Sequence, residues 1–343
     1  MNVVIMYNKV RKEVEMKGKN NSITDVPGVL VGHATLVDGD IQTGVTAILP
    51  KSYNWFREKT RATCHVINGF GKSIGLTQIE ELCTLETPIL LTNTLSAAHT
   101  ADCLIKFMLS HFDEIGGTIG TVNPVVCECN DGYLNNIRKQ VITERHVLTA
   151  LNNASVDFER GAVGAGRGMS CYQLKGGIGT ASRVLELEDK SYTIGGLVLC
   201  NMGRLEDLIY QGKPIGVELK EKIEALEERD NGSIIMILAT DLPLESHQLK
   251  RMTKRAVAGL SRTGTFIGHG SGDIVIGFTT DSPVTSKAYA VTTPREILHD
   301  SYMDDVFRGA VEVIEESIID ALMEADEVTG FSGHNRKALK NLL

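Results

Sequence analysis

A chain of 343 residues with 42% apolar and 23% charged side chains has the make-up of a globular protein with a sizeable core, in one large domain or two medium ones. Its 35 basic against 43 acidic residues give a net charge of −8, and with no basic stripe in view this excludes a protein held to nucleic acid by charge. No apolar run reaches the roughly 20 residues of a membrane helix, so no membrane partner is expected.

Along the chain, residues 1–20 open with a short apolar patch and then turn charged, the reverse of a secretory signal. A cytoplasmic protein with a loose N-terminal extension is therefore expected. Short runs rich in Val and Ile predict strands at 29–31, 44–49, 88–91, 118–122, 195–200, 233–239 and 273–278. Apolar residues at steps of three and four predict helices over 97–112, 246–260 and 304–325. A Lys/Glu-rich helix over 218–228 runs into Arg229-Asp230-Asn231-Gly232, and the apolar run from Ser233 begins at once; this reads as a surface turn entering a buried strand. Strands and helices interleave without a steady alternation, which predicts an α/β layered architecture, sheets packed on each other with helices outside, rather than a doubly wound fold.

Seven cysteines scattered through a chain of this size read as free buried thiols. Cys127 and Cys129 form a C-x-C pair on one face of an apparent strand, the histidines stand apart, and no metal or other cofactor is expected. Gly71-Lys72-Ser73 resembles the end of a phosphate loop, but Val66 stands where that loop needs glycine. Gly164-Ala165-Gly166 lacks the third glycine of a dinucleotide fingerprint, since Met169 is there. His269-Gly270-Ser271-Gly272-Asp273 lacks both outer glycines of a nucleophile elbow. What is left is glycine density at 161–168, 176–179 and 268–272, which suits tight loops or pocket walls.

Thr24-Asp25-Val26-Pro27-Gly28-Val29-Leu30-Val31-Gly32-His33, followed by Thr43-Gly44-Val45-Thr46, resembles the opening of the L-aminopeptidase/D-esterase family, which includes the β-peptidyl aminopeptidases. The resemblance runs on in order through Leu91-Thr92-Asn93-Thr94, the segment from Asn130 to Asn135, Lys175-Gly176-Gly177-Ile178-Gly179-Thr180-Ala181-Ser182-Arg183, the segment from Gly232 to Asp241, and Gly270-Ser271-Gly272-Asp273. Departures are Arg167 in a glycine loop, Cys127 and Cys129 around Glu128, and the tail after Gly330; they bear on substrate preference more than on reaction type. The resemblance implies an αββα sandwich of two stacked mixed sheets between helix layers. It also implies a single catalytic domain over 1–343 that cuts itself between Gly232 and Ser233 into chains 1–232 and 233–343, which assemble as a homo-oligomer, a tetramer of cleaved pairs.

The chemistry of Gly232-Ser233 agrees with that implication. A serine hydroxyl needs a base beside it. Cutting the bond before Ser233 frees an α-amine on the same residue, and such an amine titrates near about 7.7–8.0, against about 10.4 for lysine. Gly232 has no side chain to obstruct the first attack. By the same resemblance Ser271 is a second serine near the nucleophile, Asp273 an acidic group for the amine, Asn201 the donor to a developing oxyanion, and Tyr133 a further pocket residue. Ser271 and Asp273 point the same way if their segment is extended. His33, His269 and Glu128 have no assigned role. The expected activity is release of N-terminal residues from short peptides, amides or esters through an acyl-enzyme on Ser233. The alternatives are an acyl transferase resembling the ornithine acetyltransferases, which use threonine where this chain has Ser233, and a non-catalytic small-molecule-binding protein on the same scaffold.

Overall fold

The computed structural model describes residues 16–51, 54–117, 120–223, 232–287 and 290–343. Most of the expected N-terminal extension and the polar turn at 229–231 lie outside the described residues. Strands β1 (Leu30–Asp38) and β2 (Ile41–Leu49) form a hairpin, and β3 (Glu58–Gly69) follows. Next come α1 (Leu76–Leu82), the short β4 (Thr84–Leu85), β5 (Ile89–Asn93) and α2 (Ala97–His111). The side chain of Asn93 accepts the N–H of Ser96 and so shapes the turn that leads into α2. After β6 (Val125–Cys129) and α3 (Glu144–Asn152), a small hairpin of β7 (Ser170–Cys171) and β8 (Leu174–Lys175) precedes the long pair β9 (Gly177–Leu187) and β10 (Lys190–Asn201). The chain continues through α4 (Gly216–Ile223), β11 (Ser233–Thr240), α5 (Ser246–Thr253), α6 (Ala256–Arg262), β12 (Gly272–Thr285) and α7 (Met303–Met323). It ends in the hairpin of β13 (Val328–Thr329) and β14 (Asn335–Arg336).

Two mixed sheets result, one ordered β1-β2-β5-β6 and the other β4-β3-β12-β11-β10-β9. The parallel pairs are β5 with β6 and β11 with β12. Strand alternation sorts the apolar residues of β11 between two cores. Ile235, Ile237 and Ala239 join Ile89, Leu91, Cys127 and Cys129 between the sheets. Ile234, Met236 and Leu238 face the other way, onto α5, α6 and α7 through Leu249, Leu260, Val313 and Ile314. A third core under α2 and α3 covers the outer face of the four-stranded sheet. This is the expected αββα sandwich, and it explains why β11 reads as an unbroken apolar run: it is covered on both faces.

Three local expectations are corrected. No strand forms at 120–122, the described part of the run expected at 118–122; pairing starts at Val125, after Pro124, which has no N–H to give a ladder. The helix expected over 246–260 is two helices, separated at Lys254 and Arg255, where the Arg255 N–H donates to the Met252 carbonyl three residues back at 2.9 Å. The glycines at 177–179 are the start of β9, not a loop. A Cβ on Gly179 would sit 2.0 Å from the carbonyl oxygen of Ser317, so glycine there lets α7 lie against the sheet.

Candidate active site

Ser233 is the first residue of β11, with Asn201 opposite it on β10 and Gly272 opposite it on β12. The ends of β3, β6 and β10 and the starts of β11 and β12 gather here, at one end of the sandwich. Only 6% of Ser233 is exposed, and its Oγ accepts the Gly272 N–H at 3.3 Å. By alternation with Ile235 the hydroxyl belongs to the face between the sheets.

Ser271 and Asp273 are both buried, and they do point the same way: Ser271 Oγ donates to Asp273 Oδ1 at 2.7 Å. Their face is that of Val275, the helix side, with Asp273 opposite Ile234. They therefore stand beside the main chain of Ser233 rather than in front of its hydroxyl. That position suits the amine of a cut chain better than Oγ. Asn68, which the sequence did not single out, holds this segment from β3: its Nδ2 donates to the carbonyl of Ser271 at 2.6 Å and to those of Gly268 and His269 at 3.0 and 3.2 Å.

The amide of Asn201 is gripped at both ends. Its Oδ1 accepts the N–H of Ser170 at 2.8 Å, and its Nδ2 donates to the carbonyl of Asn130 at 3.0 Å. A donor on one side and an acceptor on the other fix which end is nitrogen. Tyr133 lies three residues beyond Asn130, and its described contacts run to the C-terminal hairpin rather than to Ser233. Its ring stacks on His334 at 4.5 Å and lies 3.7 Å from the guanidinium of Arg336.

Glu128 joins the same end of the molecule. It is 3% exposed; one oxygen accepts the Lys72 N–H at 2.7 Å and the other accepts from the hydroxyl of Thr94. A Cβ on Gly71 would sit 3.6 Å from Glu128 Oε1 and 3.9 Å from the Cα of Gly272, which puts this carboxylate next to the segment that opposes Ser233. Burial, reinforced by the carboxylates of Glu128 and Asp273, pushes the Cys129 thiol well above its ordinary range. His33 is elsewhere, bonded to Thr46 and the Glu159 carbonyl, and burial pulls it down to about 4, so it stays neutral.

The cysteines are all free; six are buried and Cys83 is half-buried. His99 is less isolated than its sequence position suggests, with its Nε2 3.5 Å from the Cys103 sulfur and Asp102 nearby, but Asp102 is already paired with Lys106 at 2.7 Å. No helix among the described residues is long and apolar enough to cross a membrane.

Residues 21–336 match Peptidase family S58. The chain belongs to this family. It is 35% identical to the beta-peptidyl aminopeptidase BapA of Sphingosinicella microcystinivorans over 345 residues, covering 94% of this chain and 86% of the relative. Among solved structures, a protein of Pyrococcus horikoshii OT3 matches with a TM-score of 0.90 at 46% identity, covering 95% of this chain and 94% of that one. The L-aminopeptidase D-Ala-esterase/amidase of Ochrobactrum anthropi is described as a prototype of the serine aminopeptidases and a new variant of the Ntn hydrolase fold. It matches at 0.87 and 34% identity, covering 94% and 92%. The motif resemblance and the sandwich are thereby borne out, and this S58 chain is a hydrolase of the peptidase class.

Proposed function

We propose that this protein is a serine aminopeptidase and esterase whose nucleophile, Ser233, becomes an N-terminus when the chain cuts itself after Gly232. The observation that carries the reading is the setting of Ser233: a buried hydroxyl at the start of a rigid strand, opposite an orientation-locked amide, in a chain of a peptidase family. The names of the relatives support N-terminal release from peptides, amides and esters.

In the first step Ser233 Oγ attacks the Gly232 carbonyl, and water hydrolyses the resulting ester. The freed amine then serves as base for the same hydroxyl. Ser271 and Asp273 hold that amine from the neighbouring strand. Asn201 spends one Nδ2 hydrogen on Asn130, which leaves the other to donate to the oxyanion of the acyl-transfer intermediate. Glu128 supplies a fixed negative charge for the protonated amino end of the substrate, and this selects substrates with a free amine. The acyl group leaves Ser233 when water attacks it. The reading includes a cytoplasmic homo-oligomer of cleaved pairs.

The test is the denatured intact mass of fresh protein, sequencing of any new N-terminus, and hydrolysis of a panel of L-amino-acid amides, D-amino-acid esters and β-peptides. Two chains, the second starting Ser-Ile-Ile-Met, with cutting and hydrolysis both lost in Ser233→Ala, are expected. A folded, uncut chain that hydrolyses none of the panel would overturn the reading.

A further inference from the structure

The C-terminal hairpin meets the segments beside the site through His334, which stacks on Tyr133, and through Arg336, which also reaches a second segment. Arg336 is 8% exposed although it lies near the end of the chain, and its guanidinium touches two separate loops. On one side its carbon is 3.7 Å from the ring centre of Tyr133. On the other its Nε donates to Ser170 Oγ at 3.1 Å and its Nη1 to the Gln173 carbonyl at 3.2 Å. Each of these loops also holds one end of the Asn201 amide: Ser170 gives its N–H to Oδ1, and Asn130, in the Tyr133 loop, takes a hydrogen from Nδ2. The contacts close a ring that runs Arg336, Tyr133, Asn130, Asn201, Ser170 and back to Arg336.

We infer that Arg336 is a positioning residue for the hydrolytic site, holding the two loops at the separation that aims the Asn201 amide. The inference rests on the reading of Asn201 as an oxyanion donor. A planar guanidinium suits this place because it can lie flat on an aromatic ring while its edge donates to two acceptors side by side; an ammonium is a point charge with no flat face and no fixed fork of donors. The ring also explains how a tail that matches the family motifs only loosely bears on chemistry. The residue that bridges both segments is set on a two-residue strand, with Val328 opposite it.

Three variants test this: Arg336→Met, Arg336→Lys and Ser170→Ala, each assayed for kcat and KM per cleaved chain, with Ser233→Ala as the blank and Tm recorded throughout. Arg336→Met is expected to lower kcat by about 10- to 100-fold, the scale of a misplacement of order 1 Å, with KM within about twofold. Arg336→Lys should recover only part of the loss, and adding Ser170→Ala to Arg336→Met should cost less than it does in the parent chain, because both act on one link. A folded Arg336→Met protein with parental kcat overturns the inference, as do losses that multiply independently in the double variant. If Arg336→Met does not fold, Arg336→Lys and Ser170→Ala decide: a loss confined to kcat supports the assignment, and parental kcat in both overturns it. Should the parent chain show no hydrolysis above the Ser233→Ala blank, the functional reading itself has failed, which is a different result from unchanged kcat in an active enzyme.

Discussion

A Cβ placed on Gly232 would lie 2.1 Å from the carbonyl oxygen of Asn201 and 2.6 Å from the Cα of Met202. Both neighbours are backbone, at and just past the end of a strand, so neither can swing aside. Gly232→Ala must therefore push the residue before Ser233 out of place. The expected outcome is self-cleavage slowed by about tenfold or more, with about 1–3 kcal/mol of lost stability from overpacking. The intact mass of the denatured protein over time after purification gives the first, and a urea titration the second. Rapid and complete cutting in the alanine variant would show that the Asn201–Met202 backbone does not constrain the scissile bond.

Asn201→Ala removes a donor whose orientation is set by Ser170 and Asn130. Loss of one such donor costs about 10²–10³ in kcat, with KM little changed. Steady-state kinetics on any hydrolysed amide provide the check. A comparable rise in KM at constant kcat would instead make Asn201 a binding residue.

Asp131 gives a pH dependence. Burial raises its carboxyl to about 7 from 3.8, against the pull of hydrogen bonds from Thr43 Oγ1 at 2.6 Å and Asn135 Nδ2 at 3.0 Å. The folded chain then holds a proton that the unfolded chain has released, so this group's contribution is full below about pH 4 and is lost as pH rises through about 7. Tm should fall over that window, and Asp131→Asn should flatten the fall. Tm measured in steps from pH 4 to pH 8 for both proteins decides it; parallel curves would rule the group out.

Lys175 is fully buried, and its ammonium donates to the carbonyls of Gly166, Met169 and Gly176 at 2.9, 2.7 and 2.6 Å. Burial pulls its pKa well below the usual lysine value, yet all three donors are used. Lys175→Met leaves three carbonyls without that donor in the turn that carries Ser170. A loss on the order of 3 kcal/mol or more is expected, read as a shift of the urea midpoint at constant slope. A shift worth less than about 1 kcal/mol would mean that the turn finds other partners.

The sequence was most legible where a single face or a single run settled the matter. The run from Ser233 to Thr240 declares a strand because both its faces are covered, and α7 shows its period because one side is open to water. Strand β3 was missed because Glu58, Lys59, Arg61 and His65 interrupt it, each at a position that is exposed or half-buried. Strand β9 was missed because its glycines, which imitate a loop, are there for the approach of α7. Ser233, Ser271, Asp273 and Asn201, which the structure gathers at one end of the sandwich, stood out through ordered motifs. The link from Tyr133 to Arg336 was not, since it spans 203 positions and depends on a two-strand hairpin that no local pattern announces. Glu128 was visible as a residue, but its place beside the site emerges only when the loop after β3 folds over the end of β6.

The order of the six-stranded sheet, β4-β3-β12-β11-β10-β9, has a consequence for what a broken chain would be. Everything from Ser233 onward contributes only the middle two strands, and the strands on either side all come from before Gly232. A cut at that bond would leave the later piece mortised into the earlier one, with the β11–β10 ladder along one flank and the β12–β3 ladder along the other. The two pieces are then a single folding unit in two covalent parts. Neither has the complete six-stranded sheet that the sandwich is built on, so a mixture of separately made 1–232 and 233–343 should regain a folded sandwich only by assembling together.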